Sequence, residues 1–147
     1  MPTYTYPRPM LTVDIAIFQQ SGTQVQVLLI QRGQNPFVGS WALPGGFVNM
    51  EERLEQSAVR ELEEETGLVV PDLEQVHTYG DPDRDPRGRV ISVAYTALLD
   101  RSAELPLSAS SDAADAGWFP TADLPELAFD HQQIIQDAYE LIKVRLA

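Results

Sequence analysis

The sequence predicts an α/β fold in a single domain, a mixed β-sheet flanked by helices. Three observations predict it. Segments with strand patterning are interrupted by one central and one terminal segment with helical patterning. No internal repeat or long linker divides the chain. A chain of 147 residues can bury roughly 65–70% of the surface its unfolded form exposes, enough for one unaided core.

In chain order, residues 1–9 hold three prolines and no periodicity and read as a flexible N-terminal arm, leaving 10–147 as the domain. Leu11 to Phe18 and Val25 to Gln31 read as paired strands across a turn at Gln20-Ser21-Gly22-Thr23. Residues 33–47 are irregular and rich in Gly and Pro. A helix follows, with Asn49 as N-cap, Glu52 completing a capping box and Gly67 as the stop. Leu68 to Tyr79 reads as a strand, 80–89 as a charged turn and Val90 to Leu99 as a strong strand. Residues 100–116 read as an acidic loop before a short strand at Trp118-Phe119. The last segment is helical, capped by Asp130 and Gln133, with Ile134, Ala138, Leu141 and Arg145 as its inward stripe.

Composition excludes several chemistries. Without cysteine there are no disulfides, thiolate nucleophiles or Cys-based metal centres, and two histidines, His77 and His131, cannot make a His-rich metal site. No stretch approaches the ~20 apolar residues of a spanning helix, and the first residues do not pattern as a secretory signal. The expectation is a soluble cytoplasmic protein with no membrane partner. Ten basic against twenty-two acidic residues give a net charge of −12, which argues against a nucleic-acid platform. It does not argue against a phosphorylated small molecule, because a divalent cation reverses the local sign at an acidic site.

The central helix carries acids where apolar residues belong. Between Glu51 and Glu65 there are seven glutamates and two arginines. Leu54, Ala58, Val59 and Leu62 define the apolar side, and at 100° per residue Glu61 and Glu65 fall within about 20° either side of Leu54. A carboxylate against a core costs several kcal/mol without compensation. Arg60 is adjacent in sequence and by this geometry points elsewhere. Glu61, Glu64 and Glu65, at i, i+3 and i+4, are therefore expected to converge on a hard cation, Mg²⁺ or Mn²⁺, and to repel one another without it.

Gly46, five residues, Glu52, seven residues, then Arg60-Glu61-Leu62-Glu63-Glu64-Glu65-Thr66-Gly67-Leu68 resembles the Nudix box at every fixed position over 23 residues. Trp41-Ala42-Leu43-Pro44-Gly45-Gly46 ahead of it is also typical of Nudix hydrolases, and the resemblance covers nearly the whole chain. It implies an α/β/α sandwich around a mixed sheet and a metal-dependent hydrolysis of nucleoside diphosphates linked to another moiety. It further implies that Glu61, Glu64 and Glu65 bind the catalytic metals with the carbonyl of Gly45, and that Glu52 supports the site or contacts a metal. Arg60 is similar to the box arginine that orients the cluster. The proton acceptor stays open between a box glutamate and a distant loop acid, for which Asp112 is the candidate.

Asp81 to Val93 resembles the ADP-ribose pyrophosphatase branch and the ligand-sensing domains of NAD-metabolism regulators. Arg84 and Arg87 are the residues there expected to meet phosphate or ribose, if the segment is not simply a rigid turn with local ion pairs. Leu127-Ala128-Phe129-Asp130-His131 resembles the same branch, with His131 either touching substrate or capping and packing. Arg32 sits near where related enzymes place a phosphate-binding arginine, and Trp41 either packs beneath the site or stacks on a base. ADP-ribose is the first substrate reading, releasing AMP and ribose 5-phosphate. A modified nucleoside triphosphate such as 8-oxo-dGTP is the second, and a non-catalytic sensing domain the third. Homodimers are frequent in the branch.

Overall fold

The computed structural model describes residues 3–100 and 113–146. β1 (Met10–Ser21) and β2 (Gln24–Arg32) form a hairpin closed by Gly22-Thr23, where Gly22 supplies the positive φ of 64° that the turn needs. β3 (Trp41–Ala42), β4 (Gly45–Phe47) and α1 (Leu54–Thr66) follow. Then come β5 (Glu74–Tyr79), β6 (Val90–Leu99), β7 (Ala113–Pro120) and α2 (His131–Ile142), with a short 3₁₀ turn at Lys143–Arg145. The sheet runs β3-β2-β1-β6-β5, with β4 also on β1 and β7 also on β2. It is mixed: β1 and β6 are parallel, and the other pairs are antiparallel.

Strand alternation splits the core in two. Val13, Ile15 and Ile17 face α1 with Leu28, Ala58 and Leu62, while Ala16 and Phe18 face α2 with Leu29, Ile134 and Ala138. The helices thus cover opposite faces, the expected sandwich. Among the described residues no helix is long and apolar enough to cross a membrane.

The site is opened by the divergence of β1 and β2. They pair only over Phe18–Ser21 and Gln24–Val27. At the other end β1 takes β4 as neighbour through Thr12–Asp14, and β2 takes β3 and β7. A cleft lies in the gap.

Four local expectations are corrected. The helix starts later than predicted: its cap is Arg53, boxed with Gln56, while Asn49 and Glu52 close a preceding turn, the Asn49 N–H donating to Glu52 Oε1 and the Glu52 N–H to the Asn49 carbonyl. The 68–79 strand shrinks to β5, because Pro71 lacks an N–H to donate, and Leu68 and Val70 pack into the α1 core instead. β7 begins at Ala113, inside the stretch read as loop; pairing with β2 outweighs the poor strand propensity of its alanines and Gly117. In α2 the buried stripe is Ile134, Ile135, Ala138 and Ile142, so Leu141 and Arg145 face outward, and the expected Asp130–Gln133 cap is absent because Asp130 binds Arg84 and Gln133 binds Asp137.

Candidate active site

The cleft has a volume of about 470 Å³, in the usual range for small-molecule sites. One wall is the outer edge of α1 with β4. Glu65 is buried at 9% exposure, and its Oε1 accepts a 2.7 Å bond from the Gly45 N–H. No ion pair among the described residues includes it. Burial pushes its carboxyl up to about 8; the Gly45 bond opposes this, and Glu61 and Asp14 add to it. Burial also raises Glu61, with Glu64 and Glu52 assisting and Arg60 opposing.

Glycines let this wall close. A Cβ on Gly46 would lie 2.4 Å from Cδ of Glu61, and one on Gly45 would lie 2.3 Å from the Val13 carbonyl oxygen. At Gly45 only a bare backbone fits beside β1, and at Gly46 a side chain would displace the Glu61 carboxyl.

Arg60 does not point away. Its Nε donates to Glu52 Oε2 at 2.8 Å, Nη2 to Glu52 Oε1 at 3.0 Å and to the Phe47 carbonyl, and Nη1 to Glu61 at 2.8 Å and Glu64 at 3.2 Å. The orienting role implied by the resemblance describes it better than the bare helical geometry. Glu52 is held by Arg60 on both oxygens and by Ser57 Oγ at 2.6 Å, which brings its carboxyl down to about 2. It does not line the cleft and is held in place by Arg60 and Ser57. Glu61, Glu64 and Glu65 all line the same cleft, although among the described residues no three acids already form a ready-made metal cage. Like charges spread apart, and Arg60 takes up Glu61 and Glu64.

The other wall is built on β1 and the start of α2. Asp14 is buried on the α2 face of β1. Its Oδ2 accepts from Ser92 Oγ, and Oδ1 lies 3.4 Å from His131 Nε2. His131 Nδ1 accepts the Leu43 N–H at 2.9 Å, which puts the imidazole proton on Nε2, toward Asp14. Burial opposes ionisation of Asp14, but His131, Ser92 and Arg84 outweigh it and hold the carboxyl below its ordinary range. Arg84 grips Asp130 with two bonds of 2.9 and 2.7 Å, and its side chain is only 4% exposed. Arg87 grips the buried Asp85 in the same way.

The predicted residues therefore divide. Gly45, Glu61, Glu64, Glu65, Arg32, Arg84, Arg87 and His131 all line the cleft. Arg84 and His131 line it with side chains that also bind protein partners, Asp130 for the first and the Leu43 N–H and Asp14 for the second. Trp41 does not line it: the indole packs edge-on against Phe119, 4.6 Å between centroids, beneath the site. Asp112 lies outside the described residues. Sequence reasoning missed Asp14, although an acid inside the apolar run Leu11 to Phe18 is a signal, since such a residue needs buried partners. It also missed Phe129, which lines the cleft with a positive φ of 52°.

A NUDIX domain model matches residues 8–138. The chain belongs to the Nudix family. Among Nudix relatives, it is 45% identical to an ADP-ribose pyrophosphatase of Methanocaldococcus jannaschii over 90% of this chain and 74% of that one. It is 43% identical to the ADPR responsive transcriptional repressor NtrR of Acinetobacter baylyi, covering 91% of this chain but only 54% of the repressor. The NUDIX domain of Shewanella oneidensis NrtR, solved with ADP ribose, superposes with a TM-score of 0.86 at 40% identity, over 93% of this chain and 90% of that one.

Proposed function

We propose that this Nudix chain hydrolyses ADP-ribose to AMP and ribose 5-phosphate with Mg²⁺, or Mn²⁺ in its place. One observation carries the reading: the intact acidic edge of α1 faces a cleft whose far side presents arginines, in a chain 45% identical to an ADP-ribose pyrophosphatase. The residues suit a divalent cation. Their donors are hard anionic oxygens, and among the described residues Glu65 is a buried carboxylate without a cationic partner in contact. Glu61, Glu64 and Glu65 would hold the ion with the Gly45 carbonyl. When bound, the metal supplies charge neutralisation at the diphosphate and a more acidic water.

The chain's own residues do the rest. The Gly45 N–H orients the Glu65 carboxylate, and Glu52, fixed by Ser57, orients Arg60, which aligns Glu61 and Glu64. Arg32 and Arg87 face the phosphates from the opposite side, where charge-assisted bonds align the linkage. Asp14 and His131 fix the Leu43–Gly46 loop against β1 and keep its backbone in register with the acids. The proton acceptor is a box glutamate or Asp112.

Likeness to the repressor supports a second reading, a domain that binds ADP-ribose without cleaving it. Steady-state turnover of ADP-ribose, NADH, diadenosine polyphosphates and 8-oxo-dGTP with Mg²⁺ separates the two. The highest kcat/KM for ADP-ribose is expected. Saturable ADP-ribose binding with no turnover on the panel would leave the sensor.

A further inference from the structure

Arg32, at the end of β2, and Arg87, in the loop between β5 and β6, come from distant parts of the chain and meet at one ring. The Arg32 guanidinium carbon lies 5.1 Å from the Phe129 centroid and that of Arg87 lies 5.5 Å away. Both distances suit a cation held over an aromatic face. The ring is itself fixed: Phe37 packs edge-on against it at 4.8 Å, and the His131 imidazole lies at 5.3 Å. Its backbone has a φ of 52°, the left-handed region that a bulky side chain occupies only at a cost and that collects at ligand sites.

Two guanidinium groups on one ring repel each other. Arg87 has Asp85 as its partner, whereas Arg32 spends its Nε on the Pro36 carbonyl and enters no ion pair among the described residues. Burial and then the neighbouring Arg87 cation lower the Arg32 pKa. The pair thus carries positive charge that the protein gathers without fully neutralising, beside a cleft whose opposite wall is acidic. An anion between the two would relieve the repulsion.

We propose that Phe129 is a positioning residue whose ring seats Arg32 and Arg87 together to receive a phosphate group of the substrate. The inference rests on the reading of the cleft as a site for a nucleoside diphosphate derivative. Phe129 touches no reacting atom in it; it acts through the arginines.

The test is ADP-ribose binding by calorimetry to the full chain in EDTA, for wild type, Phe129→Leu, Phe129→Gly and Phe129→Tyr. Leu and Gly should each weaken binding by about tenfold, ~1.4 kcal/mol. Tyr, which keeps the ring, should stay within roughly twofold of wild type. With Mg²⁺ the loss should fall mainly on KM, and Arg32→Ala should cost less in Phe129→Leu than in wild type, since coupled residues are not additive. Glycine separates ring from backbone, because it accepts the left-handed φ but removes the aromatic face. The proposal is overturned if Gly binds like wild type, if Tyr is as weak as Leu, or if the Arg32 and Phe129 effects simply add. A wild type that ignores ADP-ribose but binds ADP or inorganic pyrophosphate would defeat the substrate reading alone, and the same variants then judge the ring on that ligand.

Discussion

The two walls of the cleft handle charge in opposite ways. On the β1–α2 wall, Arg32 apart, each ionised group named above has its own partner: Arg84 holds Asp130, Arg87 holds Asp85, and Asp14 has Ser92 and His131. On the α1 wall one arginine serves Glu52, Glu61 and Glu64, and among the described residues Glu65 is buried with only a backbone donor. A wall that is satisfied internally fixes geometry. A wall left short of positive charge is prepared for a cation that arrives with the substrate. The same side-chain types serve both purposes, and what separates them is whether the charges close among themselves.

The sharpest way to break the contrast is to remove the shortage. Glu65→Gln keeps shape and the Gly45 bond while deleting the charge, so kcat with Mg²⁺ should fall by at least ~100-fold, about the loss of one strong transition-state interaction. Circular dichroism should show the fold unchanged. Near-normal turnover with ordinary metal dependence would move the site elsewhere.

The satisfied wall should respond in stability instead. Arg84→Ala leaves Asp130 without its partner and unpins the 80–89 loop from α2. The cost should be about 2–3 kcal/mol, below the range for fully buried pairs because Asp130 is 28% exposed. Arg84→Lys should recover little, since a single ammonium cannot reproduce two parallel bonds. Urea denaturation of the three proteins measures this, and an Arg84→Ala variant as stable as wild type would remove the anchoring role.

What the sequence made legible follows the same division. β6 was readable to the residue because a nearly continuous apolar run marks a central strand buried on both faces, and the Gly67 stop because a φ of 81° strongly favours glycine. Glu61 and Glu65 betrayed themselves by lying on the apolar margin of α1. The satisfied wall was harder to read, because its pairings cross the chain: Asp14 meets Ser92 and His131, and Arg84 meets Asp130, at separations no local pattern encodes. Arg60 was misjudged because Cβ direction alone ignores a long side chain that folds back over its own helix. The helix start was misplaced because Asn49 and Glu52 make a genuine capping pattern in a turn that stops before α1 begins.

A third test weighs the uncompensated carboxylate directly. Glu65 is pushed up to about 8, against ~4.3 when unfolded. A raised carboxyl contributes its stability below the unfolded value and loses it as pH climbs through the folded one. In EDTA the protein should therefore lose roughly 1–2 kcal/mol between pH 5 and 8, less than full linkage, because water and backbone relax around the charge. Glu65→Gln should flatten that slope, and millimolar Mg²⁺ should raise Tm at pH 8 by mass action. Stability that stays level over this interval, in wild type and variant alike, would mean the acid is not strained.

The smallest expected effect belongs to Glu52, which stands between the walls in character: it is on the acidic side, yet fully partnered. Both its oxygens are engaged, by Arg60 at 2.8 and 3.0 Å and by Ser57 at 2.6 Å, and it does not line the cleft. If bracing is its task, Glu52→Gln keeps one acceptor oxygen for those donors and should weaken only the alignment of Arg60 with Glu61 and Glu64. Turnover should then fall roughly 3–10-fold, the loss of one charge-assisted bond partly replaced by a neutral one. The Mg²⁺ concentration giving half-maximal activity should stay within about twofold of wild type, because no ligand has been removed; outer supports of a metal site act on orientation before affinity. A ligand would behave differently, with the Mg²⁺ requirement rising tenfold or more and excess metal restoring kcat. Measuring kcat across a Mg²⁺ titration for wild type, Glu52→Gln and Ser57→Ala distinguishes these patterns. Matching modest losses at unchanged Mg²⁺ dependence in both variants identify a brace, since Ser57 bonds to Glu52 and does not itself line the cleft.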